Sequence, residues 1–343
     1  MSFNTSFTDM FQLRIPVIMA PMFLVSNEAM MKSAMQCGIM GTFPTLNYRK
    51  ENELSALLKT LNLFKKEHNA PGNYGVNLIV QQTNPLYKDH LEICVKEKVP
   101  FYITSLGNPK EVIQRAHEYG GKVFCDVTNA EHAEKCASLQ CDGFIAVSQG
   151  AGGHAGPYPQ SVLLPFLREN YPHIPVVAAG GIATGAGILS VLALGAAGAS
   201  IGTRFIASNE AAVSEAYKNA IVDSGMDDIM MTERISGTPC AIISTPYAKK
   251  IGPKQNWFER WMSNNPTTKK YFKMLVQYKG MGKFEKAVKP GNYDNLWAAG
   301  QSVELIHDII PCENIIQRLE AELEEAMFHL MQQHVAPVQA DNK

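Results

Sequence analysis

The chain has 343 residues, of which 46% are hydrophobic and 18% charged, and its formal net charge is −1. This composition is typical of a globular enzyme and excludes a disordered or fibrous chain. A nearly neutral chain has no overall attraction to nucleic acid or to an anionic membrane, so neither is expected as a partner.

The cysteines and the N-terminus bear on the cellular compartment. The seven cysteines form no C-x-x-C pair, and their odd number argues against a complete disulfide framework. The stretch from Met1 to Thr5 lacks the basic and apolar regions of a secretory signal. No apolar run reaches the roughly 20 residues that span a bilayer. These features predict a reduced, cytoplasmic protein without a membrane segment.

Short apolar runs alternate with helical segments along most of the chain. Runs that are apolar throughout fit strands covered by helices on both faces of a sheet. Eight such strands are predicted, at Ile15–Ala20, Ile39–Phe43, Tyr74–Val80, Phe101–Ser105, Val123–Val127, Gly143–Val147, Pro175–Ala179 and Ala199–Gly202. Eight strand–helix units match the α/β class and the TIM or (β/α)8 barrel better than an open doubly wound sheet, although counting alone leaves both open.

The alternation ends near residue 223, which divides the chain into predicted parts. Residues 1–223 are expected to form the barrel, and residues 224–310 are interpreted as an excursion or small, mainly helical subdomain near the active site. Residues 311–336 are expected to pack on the barrel as a C-terminal helix, whose apolar residues recur at helical spacing over Ile315–Gln332. Residues 337–343 are expected to be a disordered tail.

Glycine-rich turns follow the last two predicted strands. Gly180 and Gly181 come directly after the seventh strand, and Gly202 and Thr203 stand at the end of the eighth. Loops at these positions of a barrel often bind phosphate through backbone N–H groups. In either turn by itself, glycine could serve only to permit a tight bend of the backbone. The placement of two such turns after neighbouring strands favours a phosphate-bearing ligand.

A histidine flanked by small residues lies on the loop after the sixth strand. This residue, His154, stands within Gln149–Gly156, where glycine and alanine leave no bulk for core packing and would let the backbone approach a flat ligand. Its imidazole can exchange a proton near neutral pH. The segment therefore predicts an acid/base residue beside a phosphate-bearing cofactor. Cys125 and Asp126, at the end of the fifth strand, could face the same site, although packing is the simpler role for Cys125.

Other kinds of site lack their motifs. No H-E-x-x-H, paired-cysteine motif or local carboxylate cluster indicates a metal site. A serine hydrolase is not supported, because no G-x-S-x-G elbow occurs. A Rossmann fold is weakly supported, because no G-x-G-x-x-G follows a predicted strand.

Over nearly its whole length the chain resembles the nitronate monooxygenase family, formerly called 2-nitropropane dioxygenases. The specific element is Gly152-Gly153-His154-x-Gly156. Further segments that carry the resemblance are Ile15–Met22, Tyr74–Val80, Ala178–Ile182, Ile201–Phe205 and Trp297–Ser302. Members of this family are FMN-dependent barrels, so the resemblance implies an FMN-dependent oxidoreductase that converts alkyl nitronates and dioxygen into a carbonyl compound and nitrite.

The resemblance also implies roles for individual residues. His154 is expected to be the catalytic acid/base. The residues expected to hold FMN are Ala20, Pro21 and Met22 against the ring, Asn77 and Gln149 at the ring or ribityl chain, Gly180, Gly181, Gly202 and Thr203 at the phosphate, and Gln301 returning from the C-terminal region.

One departure from the family and two alternative functions stand beside this expectation. Many members have a longer loop before the glycine-flanked histidine, where this chain has only Ala151 between Gly150 and Gly152, so the flavin site carries over more directly than the substrate contacts. An FMN-dependent NAD(P)H enoyl-thioester (enoyl-ACP) reductase of the same barrel family is one alternative, since it also carries a glycine-flanked histidine. The other is a non-redox, phosphate-binding barrel isomerase or aldolase. Assembly into a homo-oligomer is left open.

Overall fold

The computed structural model describes residues 3–50, 52–81, 84–234, 238–254 and 296–334. Its parallel barrel strands are β1 (Val17–Met19), β2 (Met40–Pro44), β3 (Asn73–Ile79), β4 (Phe101–Ser105), β5 (Lys122–Val127), β6 (Gly143–Val147), β8 (Val176–Ala179) and β9 (Gly198–Ile201), with β7 (Gly153–His154) outside the barrel. The order β1-β2-β3-β4-β5-β6-β8-β9 is closed by pairing of β1 with β9. This closed, eight-stranded parallel barrel confirms the predicted TIM fold and rules out the open sheet.

Helices cover the outside of the barrel. They are α1 (Ser6–Phe11), α2 (Glu28–Gln36), α3 (Glu53–Glu67), α4 (Tyr87–Lys96), α5 (Lys110–His117), α6 (Ala130–Ser138), α7 (Gln160–Asn170), α8 (Gly185–Ala193), α9 (Thr203–Ile206), α10 (Glu215–Asp223), α11 (Pro246–Ile251) and α12 (Cys312–His334). Several begin at a side-chain cap, as where Asn129 accepts a hydrogen bond from the backbone N–H of His132. Within the described ranges, no helix is both long and apolar enough to cross a membrane.

The short helix α1 closes the lower end of the barrel, where the strands begin. Its Phe7 and Phe11 are buried and lie against Phe101 and Phe124, which come from β4 and β5. The ring centroids of Phe11 and Phe101 are 5.0 Å apart in an edge-to-face arrangement that aromatic rings favour. This helix was not predicted from the sequence. With the lower end filled by aromatic rings, a ligand can enter only from the upper end, where the strands finish.

The predicted excursion contributes a small antiparallel sheet. Its strands β10 (Ile229–Thr232) and β11 (Cys240–Ile243) pair with each other, and β11 pairs with β7 in the order β10-β11-β7. The sequence analysis did not predict these two strands, because apolar runs of four residues are too short to show a strand period. Residues 255–295 of the excursion lie outside the described residues. The division of the chain into domains stays a prediction.

The last helix, α12, packs on the outer layer. It contacts α8 and α2 through buried residues that include Leu319 and Leu323. Leu330, which the helical spacing placed on the same apolar face, is 45% exposed, so the buried face ends before the helix does. The predicted tail, residues 337–343, lies outside the described residues.

Candidate active site

Three polar side chains form a hydrogen-bonded line across the upper ends of three neighbouring strands. The Asn77 Nδ2 atom on β3 donates to Ser105 Oγ on β4 at 2.7 Å and to the Ile103 carbonyl at 3.2 Å. Ser105 Oγ in turn donates to Asp126 Oδ2 on β5 at 2.5 Å. Desolvation raises the pKa of Asp126 from 3.8 to about 6, against the opposing effect of the Ser105 hydrogen bond. A carboxyl group that titrates this close to neutrality is a feature of functional sites.

His154 stands on β7, outside the barrel but on the loop that follows β6. It pairs with Cys240 of β11, and Gly153 pairs with Ala241, so the sheet fixes the backbone of the histidine. The residue is exposed on this loop, while the protein around it partly desolvates the ring and lowers the pKa of His154 below 6.5. The imidazole is therefore mainly neutral at pH 7 and can accept a proton.

Some of the glycines before His154 pack one loop on another, a role that was not predicted from the sequence. A Cβ on Gly152 would lie 2.7 Å from the backbone nitrogen of Gly300, and a Cβ on Gly300 would lie 2.5 Å from the carbonyl oxygen of Gly150. These two loops thus touch backbone to backbone. Gly153 remains open, since nothing lies within 4 Å of its would-be Cβ, and its φ of +70° favours glycine.

A cavity of about 180 Å³ lies beside the turn after β8. It is lined by Gly180 and Gly181 of that turn, by Ser148, Gln149 and Gly150 after β6, by Pro159 and Gln160 at the start of α7, and by Gln301. Four residues expected from the sequence, Gln149, Gly180, Gly181 and Gln301, therefore meet at one cavity. Gln160, which the sequence analysis missed, donates from Nε2 to the Gly180 carbonyl. Its signal was weak, since a glutamine at a helix start has no distinctive pattern.

The turns after β1 and β9 lie side by side. The Ala20 backbone N–H donates to the Ile201 carbonyl at 2.9 Å, and the atoms nearest to a Cβ on Gly202 would be those of Ala20 and Met22. Pro21, between them, is half-buried. Thr203 Oγ1 accepts a hydrogen bond of 3.1 Å from the backbone N–H of Gly300, which ties this turn to the C-terminal region.

The donors and acceptors at the upper end fit the flavin that the resemblance implies. Gly181 has a φ of +72° and no atom closer than 3.8 Å to its would-be Cβ, so its backbone is open to a phosphate group. The hydroxyl of Thr45, directly after β2, is buried and has no hydrogen-bond partner among the described residues. A buried polar group without a partner is uncommon in proteins. The side-chain amides of Asn77 and Gln149 are further polar groups that can form hydrogen bonds with the edge of the flavin ring.

Two other site chemistries find no support in the structure. Cys125 is buried and its Sγ accepts a hydrogen bond of 3.2 Å from Thr104 Oγ1, which is the packing role expected of it rather than that of a nucleophile. In the part of the chain that the structure describes, no group of three His, Cys, Asp or Glu side chains is arranged to hold a metal ion.

Comparison with known proteins identifies relatives over most of the chain. The family model for nitronate monooxygenase matches residues 48–322. A probable nitronate monooxygenase of Staphylococcus saprophyticus is 26% identical over 93% of this chain and 98% of its own length. A relative from Mycobacterium tuberculosis, named (3aS,4S,5R,7aS)-5-hydroxy-7a-methyl-1-oxo-octahydro-1H-indene-4-carboxyl-CoA dehydrogenase, is 27% identical over 73% of this chain and 69% of its own. The solved structure of FabK from Thermotoga maritima superposes with a TM-score of 0.79 at 28% identity, covering 96% of this chain and 99% of FabK.

Proposed function

The chain belongs to the nitronate monooxygenase family, and we propose that it is an FMN-dependent enzyme that oxidises alkyl nitronates with dioxygen to a carbonyl compound and nitrite. Membership makes it a flavin-dependent oxidoreductase acting on small molecules. The non-redox isomerase or aldolase alternative is therefore set aside. The identity of the flavin as FMN and of the substrate as a nitronate are the parts proposed here.

The position and protonation of His154 carry the proposal. Its backbone is held by pairing with Cys240, the residue is exposed on the loop that follows β6, and its lowered pKa leaves the ring mainly neutral at pH 7. A neutral imidazole can take the α-proton of a nitroalkane onto a ring nitrogen. The resulting imidazolium would then pair with the anionic nitronate. Acid–base assistance of this kind contributes about 10² to 10⁴ in rate.

The remaining residues would bind and orient the cofactor. We assign the phosphate to the turns at Gly180–Gly181 and Gly202–Thr203, and the ring edge to the amides of Asn77 and Gln149, because all of these lie at the upper end of the barrel. When bound, FMN supplies the electron-accepting chemistry. The protein contributes the orientation of the substrate and the movement of its proton. The aromatic closure of the lower end confines access to one side.

Flavin content and reductant preference test the proposal. The purified protein should show the visible absorption bands of a flavin, and the cofactor released by heat should be identified as FMN by chromatography. Under anaerobic conditions, propionate 3-nitronate should bleach these bands rapidly and NADH should not. A colourless protein that cannot be loaded with FMN would sink the assignment.

The role of His154 needs a separate variant. His154→Asn should lower turnover of a neutral nitroalkane by about 10²-fold or more, since the ring no longer accepts the proton. His173→Asn is the matched control, because His173 is exposed and lies between α7 and β8, at the lower end of the barrel. Equal activities of the two variants would remove His154 from the mechanism.

An FMN-dependent NAD(P)H enoyl-thioester reductase is the second candidate. It is favoured by the M. tuberculosis relative, whose name specifies a CoA thioester, and by the likeness to FabK over nearly the whole of both chains. The same anaerobic experiment discriminates between the two. Bleaching by NADH, followed by reoxidation with an enoyl-CoA, would favour the reductase over the monooxygenase.

A further inference from the structure

We propose that Asp126 is a positioning residue of the flavin site, which acts through Ser105 to hold the Asn77 amide with its carbonyl oxygen toward the cofactor. This inference rests on the proposed flavin site and deepens it. It names two residues, Asp126 and Ser105, whose role in cofactor binding neither the family match nor the glycine turns indicate.

The direction of each hydrogen bond follows from the donors available. Asn77 Nδ2 uses its two hydrogens on the Ile103 carbonyl and on Ser105 Oγ. Ser105 has a single hydroxyl hydrogen, which it donates to Asp126 Oδ2 while its oxygen accepts from Asn77. An ionised carboxylate can only accept, so Asp126 fixes the direction of the whole line.

The orientation of the Asn77 amide is the consequence. If the amide were flipped, its carbonyl oxygen would face the Ile103 carbonyl, and the bond to Ile103 would be lost and replaced by a repulsive contact between two acceptors. With Nδ2 held by Ile103 and Ser105, Asn77 Oδ1 is left as the atom of this amide that accepts from a ligand in the proposed site. An N–H group on the edge of a flavin ring is a suitable donor to it.

The choice of a carboxyl group at position 126 also indicates a function. A carboxylate is costly to desolvate, and in the described part of the chain no Lys, Arg or His side chain forms an ion pair with Asp126. A neutral acceptor could hold Ser105 at lower cost. The carboxylate makes a stronger, charge-assisted bond, which holds Ser105 and Asn77 more firmly before a ligand binds.

A double-mutant cycle on FMN affinity tests the inference. The dissociation constant is measured by quenching of FMN fluorescence on addition of the apoprotein, so no turnover is needed. Asn77→Ala, Ser105→Ala and Asp126→Ala should each weaken FMN binding by about tenfold, which is the usual cost of breaking one such bond. In the Asn77→Ala background, Asp126→Ala should add less than about twofold, because the group it positions is gone.

Two further variants separate positioning from a merely structural role. Asp126→Asn keeps an acceptor for Ser105 and should retain most of the affinity, whereas Asp126→Ala should not. Glu131→Gln, on the exposed face of α6, removes one negative charge nearby in the sequence and should leave FMN binding unchanged. Circular dichroism melting checks folding, and Ser105→Ala provides the same comparison should Asp126→Ala fail to fold.

The results distinguish failure of the proposed function from failure of the positioning role of Asp126. Wild-type protein that does not bind FMN overturns the proposed function and this inference with it. Wild-type protein that binds FMN, combined with fully multiplicative effects of Asn77→Ala and Asp126→Ala, overturns only the inference, since Asp126 would then act independently of Asn77. Unchanged FMN affinity in the Asp126→Ala variant would also overturn only the inference.

Discussion

The carboxylate of Glu322 accepts a hydrogen bond of 2.8 Å from the backbone N–H of Gly185. Glu322 lies on α12 and Gly185 is the first residue of α8, so the last helix of the chain places a negative charge at the N-terminus of the helix that follows the Gly180–Gly181 turn. Such a placement is stabilising. The C-terminal region also contacts the chain directly after the Gly202–Thr203 turn, because Arg204 donates a hydrogen bond of 2.7 Å to the carboxylate of Asp308. The C-terminal region thus stabilises both of the turns that are expected to bind phosphate.

Close approach of α8 and α12 predicts a strong effect of one added methyl group. A Cβ on Gly185 would lie 2.1 Å from the backbone nitrogen of Leu323, so Gly185→Ala must push the helices apart. We expect a loss of about 1–3 kcal/mol in the free energy of unfolding, measured by urea denaturation. Gly187→Ala is the control, since its Cβ would come no closer than 3.3 Å to Ile182 and alanine favours the helix. Equal stabilities of the two variants would contradict the close approach.

The barrel could be predicted from the sequence because each strand carries its signal locally. The predicted strands Phe101–Ser105 and Gly143–Val147 recur with the same bounds in the structure. The first strand was predicted over Ile15–Ala20 but is only Val17–Met19, because Pro16 has no N–H to give to a neighbouring strand. The helix α1 was missed for a different reason: its role depends on aromatic rings of β4 and β5 that lie far away in the sequence.

The candidate site could be predicted only in part, for a related reason. The glycine turns were found because they stand at the ends of predicted strands, and His154 was found because small residues flank it on the loop after another strand. The contact of Gly152 with Gly300 and the pairing of His154 with Cys240 join distant segments, which no local pattern encodes. Ser105 was seen only as the last residue of a strand, since a single serine gives no indication of the two side chains it connects.

Burial of the cysteines predicts slow thiol chemistry in the native state. All seven are buried, and desolvation raises the pKa of Cys240, for example, to about 12. Because the thiolate is the reactive form, the folded protein should react slowly with Ellman's reagent at pH 8. After unfolding in guanidinium chloride, all seven thiols should react quickly. A thiol that reacts fast in the native protein would contradict both the burial and the packing role of Cys125.

The lowered pKa of His154 predicts the position of one limb of the pH profile. The ring must be neutral to accept a proton, so kcat/KM for a neutral nitroalkane should fall in acidic solution, where the ring becomes protonated, with a midpoint below pH 6.5. Steady-state rates between pH 5 and 8 measure this limb. The His154→Asn variant should lack it. A midpoint above pH 6.5 would mean that the protein raises this pKa rather than lowering it.

Asp126 should make the stability of the apoprotein depend on pH. Its folded-state pKa is about 6 against an ordinary 3.8, so the fold prefers the protonated form and loses stability as pH rises through this interval. A shift of this size corresponds to at most about 3 kcal/mol, and solvent access to the half-buried carboxyl reduces it.

The free energy of unfolding of Asp126→Asn, relative to that of wild type, should therefore be about 1 kcal/mol higher at pH 7.5 than at pH 4. Urea denaturation at both pH values measures this difference. Glu131→Gln, on an exposed helix face, should show no such change. If the difference in stability between wild type and Asp126→Asn is the same at the two pH values, the carboxyl group is not desolvated. A gain in stability together with a marked loss of FMN affinity in Asp126→Asn would instead indicate that the charge, and not only an acceptor, is needed to hold Ser105.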